Sequence, residues 1–130
     1  MSLLLDTHLI IWWQGDRQRV PSTVQTLIEE SPDVVYVSLV SLWEMAIKVS
    51  QKKLQVDLDD LCRNITNDGF QWLPVENRHI LQVATLPLFD DHKDPFDRLL
   101  VAQSLTEPTI LLTANAKLAR YGSTVRVVVS

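Results

Sequence analysis

Apolar residues follow two rhythms along this chain, and each rhythm predicts a different element. SLLLD at 2–6 reads as a short buried strand that ends at Asp6. VVYV at 34–37, FQWLPV at 70–75, TILLT at 109–113 and VRVVV at 125–129 are similar short runs, rich in β-branched or aromatic residues. Between them the apolar spacing widens to that of a helix. LIIWW at 9–13 predicts a helical turn or short helix. Within 20–30, Pro21 suits a first turn, and Val24, Leu27 and Ile28 share a face. The segment 41–54 predicts an amphipathic helix, with capping-box spacing from Ser41 to Glu44. In 57–67, Leu58, Leu61, Cys62 and Ile65 fall on one side, and Asn67, Asp68 and Gly69 stop the helix. Residues 76–86 read as helical and 87–94 as a loop. Pro95 opens a further helix that carries Phe96, Leu99, Leu100 and Ala102. NAKLARYG at 115–122 reads as a short helix with Gly122 as its stop signal.

Strands separated by helices predict an α/β fold: a mainly parallel sheet of about five strands with helices on both faces. The connections are short and nothing marks a boundary, so 1–130 reads as one domain. With 46% apolar residues the chain has material for a sizeable core, and three glycines and six prolines argue against a low-complexity chain.

The formal net charge of -4 argues against a general basic surface for nucleic-acid backbones. It leaves room for local positive patches at Arg17 and Arg19, at Lys48, Lys52 and Lys53, and at Arg98, or simply for solvated charges there. Cys62 is the single cysteine, so no intrachain disulfide forms, and packing is the expected role of its thiol. The first thirteen residues lack the basic start of a signal peptide, and Asp6 and His8 interrupt a run too short to span a bilayer. The expectation is a cytoplasmic protein with no membrane segment.

Open parallel sheets bind ligands beyond the carboxyl ends of their strands. Asp6 follows the first strand, Glu44 lies in the helix after the second, and Asp97 lies in the helix before the fourth. Asn115 follows the fourth strand. Such a gathering of like charge opposes folding unless a cation offsets it. Magnesium prefers oxygen ligands and keeps several waters, so one or two direct carboxylates suffice. The ion would neutralise phosphate oxygens and acidify a water for phosphodiester hydrolysis. Each residue also has a plainer role. Glu44 can complete a capping box, Asp94 can cap the turn before Phe96, Asp97 can answer that cap or the helix dipole, and Asn115 can cap its own helix. Thr7 and Thr113 bring hydroxyls near two strand ends, to orient a water or carboxylate or to bond local backbone. Arg98 can meet a phosphate or an acidic side chain. His8, His79 and His92 show no metal-ligand spacing, and His79 reads as packed or exposed. No phosphate-binding glycine loop, dinucleotide fingerprint or zinc finger is present.

Four segments together carry a resemblance: LLLDTHLIIWW, VYVSLVSLWEMAIKVSQKKL, HKDPFDRLLVAQS and LLTANAKLARYG. They resemble the PIN-domain toxins of the VapC type, from bacterial type II toxin–antitoxin systems, over essentially the whole chain. The resemblance implies a three-layer α/β/α PIN-like domain and a magnesium- or manganese-dependent endoribonuclease acting on tRNA or ribosomal RNA. It implies Asp6, Glu44 and Asp97 as catalytic residues and Asp6 and Asp97 as metal ligands. Thr7, Asp94, Arg98, Thr113 and Asn115 take supporting places. Asn115 is a departure, because the family often has an aspartate there. The resemblance also implies a VapB-like antitoxin as partner and a homodimer. Trp12, Trp13 and Trp43 can serve the core or anchor such a partner. The competing readings are a PIN-like module that binds RNA or protein without turnover, favoured by Asn115, and a metal nuclease acting on DNA or a phosphatase.

Overall fold

The structure, a computed structural model, describes residues 1–128. Five strands, β1 (Ser2–Leu5), β2 (Val35–Ser38), β3 (Gln71–Leu73), β4 (Thr109–Thr113) and β5 (Val125–Val127), form one sheet in the order β3-β2-β1-β4-β5. Every pairing is parallel. Val129, at the end of the expected fifth strand, lies outside the described residues.

Side chains that alternate along the strands fill two cores. Leu3 and Leu5 of β1, with Val35 and Val37 of β2, face one side, where α1 (Thr7–Gly15), α2 (Ser22–Glu30) and α4 (Leu58–Asn67) supply Leu9, Ile10, Val24, Leu61 and Ile65. Leu4 and Leu111 face the other side, against Leu100, Val101 and Ala102 of α6 (Pro95–Thr106). The period of two along each strand thus produces an α/β/α sandwich with both sheet faces covered. α3 (Leu39–Ser50) sits at the seam, with Met45 in the first core and Val40 in the second. α5 (Asn77–Val83) packs beside α6.

Several boundaries differ from the sequence reading. α1 extends beyond the expected 9–13, because Asp6 caps it: its Oδ1 accepts the Leu9 N–H at 3.0 Å. Pro21 stands at the cap of α2, one residue ahead of the first turn. The Ser41–Glu44 capping box does not form. Ser38, the last residue of β2, is the cap instead, and its hydroxyl accepts the Val40 N–H at 3.0 Å. The helix therefore starts directly from the strand, which leaves the Ser41 and Glu44 side chains free for other partners. β3 is shorter than 70–75, since Pro74 has no N–H to continue the ladder. The expected short helix at 115–122 is a 3₁₀ helix, Ala116–Tyr121, which ends at Gly122 with φ +127°. Among the described residues no helix is long and apolar enough to cross a membrane.

Candidate active site

The sheet register brings the chemistry together. Leu5 is in register with Val37 on β2 and with Leu112 on β4. The next residue along each strand is therefore Asp6, Ser38 and Thr113, at one level of the sheet. The Asp6 N–H donates to the Leu112 carbonyl at 3.0 Å, and the Thr113 hydroxyl donates to Asp6 Oδ2. Thr113 Oγ1 in turn accepts the Asn115 N–H at 3.0 Å. Asp6 is thus buried with both oxygens engaged, one by α1 and one by β4. This end of the sheet is also where the connections from β1 and β4 diverge, the place where open α/β sheets make crevices.

The crevice is a cavity of about 340 Å³ lined by Asp6, His8, Glu44, Lys48, Asp94, Asp97, Ala114 and Asn115. Glu44 arrives from α3, almost buried. The Thr7 hydroxyl donates to Glu44 Oε1 at 2.7 Å and also lies 3.0 Å from the Ser41 oxygen. With one proton to give, Thr7 favours the nearer, charged acceptor. Lys48, one turn on, places Nζ 3.4 Å from Glu44 Oε2. Asp97 arrives from the first turn of α6. Asp94 caps that turn, and its Oδ1 accepts from the N–H groups of Phe96 and Asp97 at 2.9 and 3.0 Å. Asn115 uses its side-chain oxygen to cap the 3₁₀ helix, accepting the Lys117 N–H at 3.1 Å.

Charge is undercompensated in this cavity. Burial pushes the Asp6 carboxyl above its ordinary range, against the lowering effect of the Thr113 hydroxyl. Burial likewise raises Asp97, His92 opposes it, and Asp94, Asp6 and Glu44 add to the rise. The groups that face the cavity with charge or a carbonyl are mainly oxygens, a donor set suited to a hard cation such as magnesium or manganese. No three of these carboxylates, among the described residues, bring ligand atoms within 4.8 Å of one another. An ion held by one or two carboxylates, with water completing its shell, needs no such triad. On donor chemistry and on uncompensated charge, the residues fit a divalent cation.

Of the residues singled out in the sequence, Asp6, Glu44, Asp94, Asp97 and Asn115 line the cavity, and Thr7 and Thr113 bond to two of those carboxylates. Arg98, weighed in the sequence as a contact for a phosphate or an acidic side chain, does not line the cavity. Its side chain is buried, and Nη1 donates to the Pro87 carbonyl at 2.9 Å and to the Tyr121 hydroxyl at 3.1 Å. Four further neighbours of the site are residues to which the sequence assigns no place in it: Lys48 reads there only as part of a positive patch, His8 and His92 only as histidines without ligand spacing, and Tyr121 carries no signal. His8 and Lys48 line the cavity; Lys48 was legible as the residue one helical turn after Glu44. His92 contacts Asp97 Oδ2 through Nε2 at 3.2 Å, and Tyr121 contacts His92 Nδ1 at 2.9 Å. Neither shows any ligand spacing in sequence, since the loop at 87–94 turns back on α6 only once folded.

A second cluster lies elsewhere. Glu76, His79 and Glu107 have ligand atoms within 4.8 Å of one another, which on distance alone could hold a divalent metal. Those atoms already have partners. His79 Nδ1 accepts the Glu76 N–H at 3.0 Å, and Nε2 lies 3.2 Å from Glu107. Arg78 donates to Glu76 at 2.7 Å and to Glu107, and holds the Glu76 carboxyl below its usual range. A cation here would have to displace a guanidinium and a helix cap, so the cluster reads as the start of α5 stapled to the end of α6.

Comparison with known proteins follows the same lines. A sequence profile of the PIN domain matches residues 3–123. Ribonuclease VapC22 of Mycobacterium tuberculosis is 25% identical over 129 residues, covering 92% of either chain. VapBC2 from Rickettsia felis, solved bound to a DNA fragment from their promoter, superposes with a TM-score of 0.70 at 14% identity, over 98% of this chain and 97% of that one. A toxin–antitoxin complex from Klebsiella pneumoniae gives 0.66 at 17% identity, over 97% of each chain. FitAcB from Neisseria gonorrhoeae gives 0.63 at 18% identity, over 91% and 90%. At these identities the structural likeness is a likeness of fold.

Proposed function

This chain belongs to the PIN-domain family, and from that premise we propose that it is a metal-dependent endoribonuclease toxin of the VapC type, restrained by a cognate antitoxin. One observation carries the reading: carboxylates from three separate elements, Asp6, Glu44 and Asp97, line a single cavity beyond the end of the sheet. Resemblance to a curated ribonuclease along nearly the whole chain supports RNA as substrate.

In this reading Asp6 and Asp97 hold the cation, magnesium or manganese. The bound ion supplies charge neutralisation at phosphate oxygens and makes a water acidic enough to attack phosphorus. Thr7 fixes one oxygen of Glu44; the other, once Lys48 leaves it, orients the attacking water and receives its proton. Lys48, paired with that second oxygen, is placed to exchange it for an incoming phosphate. Asn115 orients the outer waters with a neutral amide and adds no charge, which leaves one well-held ion rather than two.

Incubation with total RNA and magnesium, followed by mapping of the new ends, tests the reading. The native protein should cut internally and Asp97→Asn should not; single-stranded DNA should stay intact. Equal cutting by Asp97→Asn would reject the assignment. Binding without turnover would favour the non-catalytic module that Asn115 allows.

The antitoxin belongs to the same reading. Trp43 is 58% exposed on α3, beside Glu44 in sequence, and its ring meets Phe96 edge-on at 4.8 Å. An aromatic pair next to an acidic cavity suits a partner that inserts a basic side chain and buries an apolar one. Mixing with the small protein encoded beside this gene should inhibit cleavage. A homodimer is proposed from the family membership, with mass in solution as its check.

A further inference from the structure

Asp97 does not stand alone behind the cavity. Its Oδ2 lies 3.2 Å from His92 Nε2, His92 Nδ1 lies 2.9 Å from the Tyr121 hydroxyl, and that hydroxyl lies 3.1 Å from Arg98 Nη1. His92, Arg98 and Tyr121 are all buried. The direction of the chain follows from what each group can give. A guanidinium only donates, so the Tyr121 oxygen accepts from Arg98. The phenol has one proton, and the acceptor within reach is His92 Nδ1. A neutral His92 then carries its proton on Nε2, where it meets an acceptor-only carboxylate. Arg98 is fixed from behind by the Pro87 carbonyl, so the chain has a rigid end.

We propose that Arg98, Tyr121 and His92 form a directed hydrogen-bond chain that orients Asp97 for a divalent cation, with His92 as the positioning residue. The proposal rests on the reading that Asp97 is a metal ligand. It gives Arg98 a role in the site without any contact with substrate. One oxygen of Asp97 is held by His92, and the other is left to face the cavity. Outer groups of this kind typically change metal affinity by about ten- to a hundred-fold when removed. Tyr121 also packs its ring against Phe89 and His92, at 5.1 and 5.6 Å between centroids, so its position is set by more than its hydroxyl.

Two measurements test this without relying on RNA cleavage. Imidazole ¹⁵N shifts of the metal-free protein should show His92 protonated on Nε2 and bare on Nδ1. In Tyr121→Phe, which keeps the ring packing, Asp97 still holds the proton on Nε2, but the Nδ1 shift should move to that of a nitrogen without a donor. A proton on Nδ1 of the native protein would overturn the proposal. Calorimetric titration with manganese then separates the two layers of the argument. Asp97→Asn should lose binding; if it does not, the metal reading itself fails, and this assignment with it. With that loss established, His92→Ala should bind about ten- to a hundred-fold more weakly, and His92→Gln, which restores an N–H at similar reach, should recover most of it. Native-like affinity in His92→Ala would overturn the chain while leaving Asp97 as a ligand. Should His92→Ala fail to fold, the Nδ1 shift and manganese affinity of Tyr121→Phe decide alone, unchanged values of both counting against the proposal.

Discussion

The Thr7 hydroxyl reaches Glu44 Oε1 at 2.7 Å, bridging the first turn of α1 and the second turn of α3. Both residues are buried, so the bond is made where water competes poorly. Thr7→Val keeps the shape and removes the donor. A hydrogen bond to a charged group contributes about 1.5–3 kcal/mol. RNA cleavage should therefore fall by roughly one to two orders of magnitude, with manganese affinity near native. Single-turnover rates beside a manganese titration check this; native rates would show that Glu44 needs no such support.

Ionisation of Asp6 and Asp97 should destabilise the metal-free protein. Both carboxyls are raised in the native state, chiefly by burial. The native protein therefore holds more protons than the unfolded chain between the ordinary carboxyl value of about 4 and the raised value. Their contribution is fully present below that ordinary value and is lost as pH rises through the native one. Urea melts of metal-free protein across this range should show Asp6→Asn and Asp97→Asn gaining on the native protein as pH rises. Manganese at about a hundred times its dissociation constant should return roughly 2.7 kcal/mol to the native protein alone. Removal by a chelator should reverse that gain and abolish cleavage.

Lys48 is the nearest cation to Glu44, at 3.4 Å. Lys48→Met keeps the aliphatic stem and deletes the charge. If Lys48 meets phosphate during the reaction, KM for RNA should rise several-fold, and the dependence of binding on salt should become shallower by about one counterion. Manganese affinity should hold or increase. An unchanged salt slope would leave Lys48 only its bond to Glu44.

The cluster at Glu76, His79 and Glu107 gives the opposite pattern. Glu107→Gln should lower stability by about 1 kcal/mol, since it weakens a half-buried bond to His79; the exposed bond to Arg78 adds little. The magnesium dependence of cleavage should not move. A shift in that dependence would make the cluster a metal site after all.

Most of the architecture was legible because it depends on local rhythm. SLLLD reads as a buried strand, and β1 lies in the middle of the sheet with Leu4 and Leu5 fully buried; the strand order itself had no signal in the sequence. The convergence of Asp6, Glu44 and Asp97 was legible only through topology, because parallel strands put all their carboxyl ends on one side. What stayed hidden depended on single side-chain directions. Ser41 and Glu44 have capping-box spacing, yet Ser38 caps the helix, since the strand runs into it without a loop. Arg98 looks like a phosphate contact beside Asp97, but neighbours on a helix point about 100° apart, and it turns inward. His92 reaches Asp97 through the fold of a loop that carries no periodic signal.

The strand order has a mechanical consequence. Asp6 hangs from the middle strand, clamped on both flanks, and can let go only when the whole sheet comes apart. Asp97 hangs from the mouth of a helix, behind a loop steadied by a few aromatic rings. Any grip these two share has one fixed jaw and one adjustable jaw, and wear, opening and tuning all fall on the second.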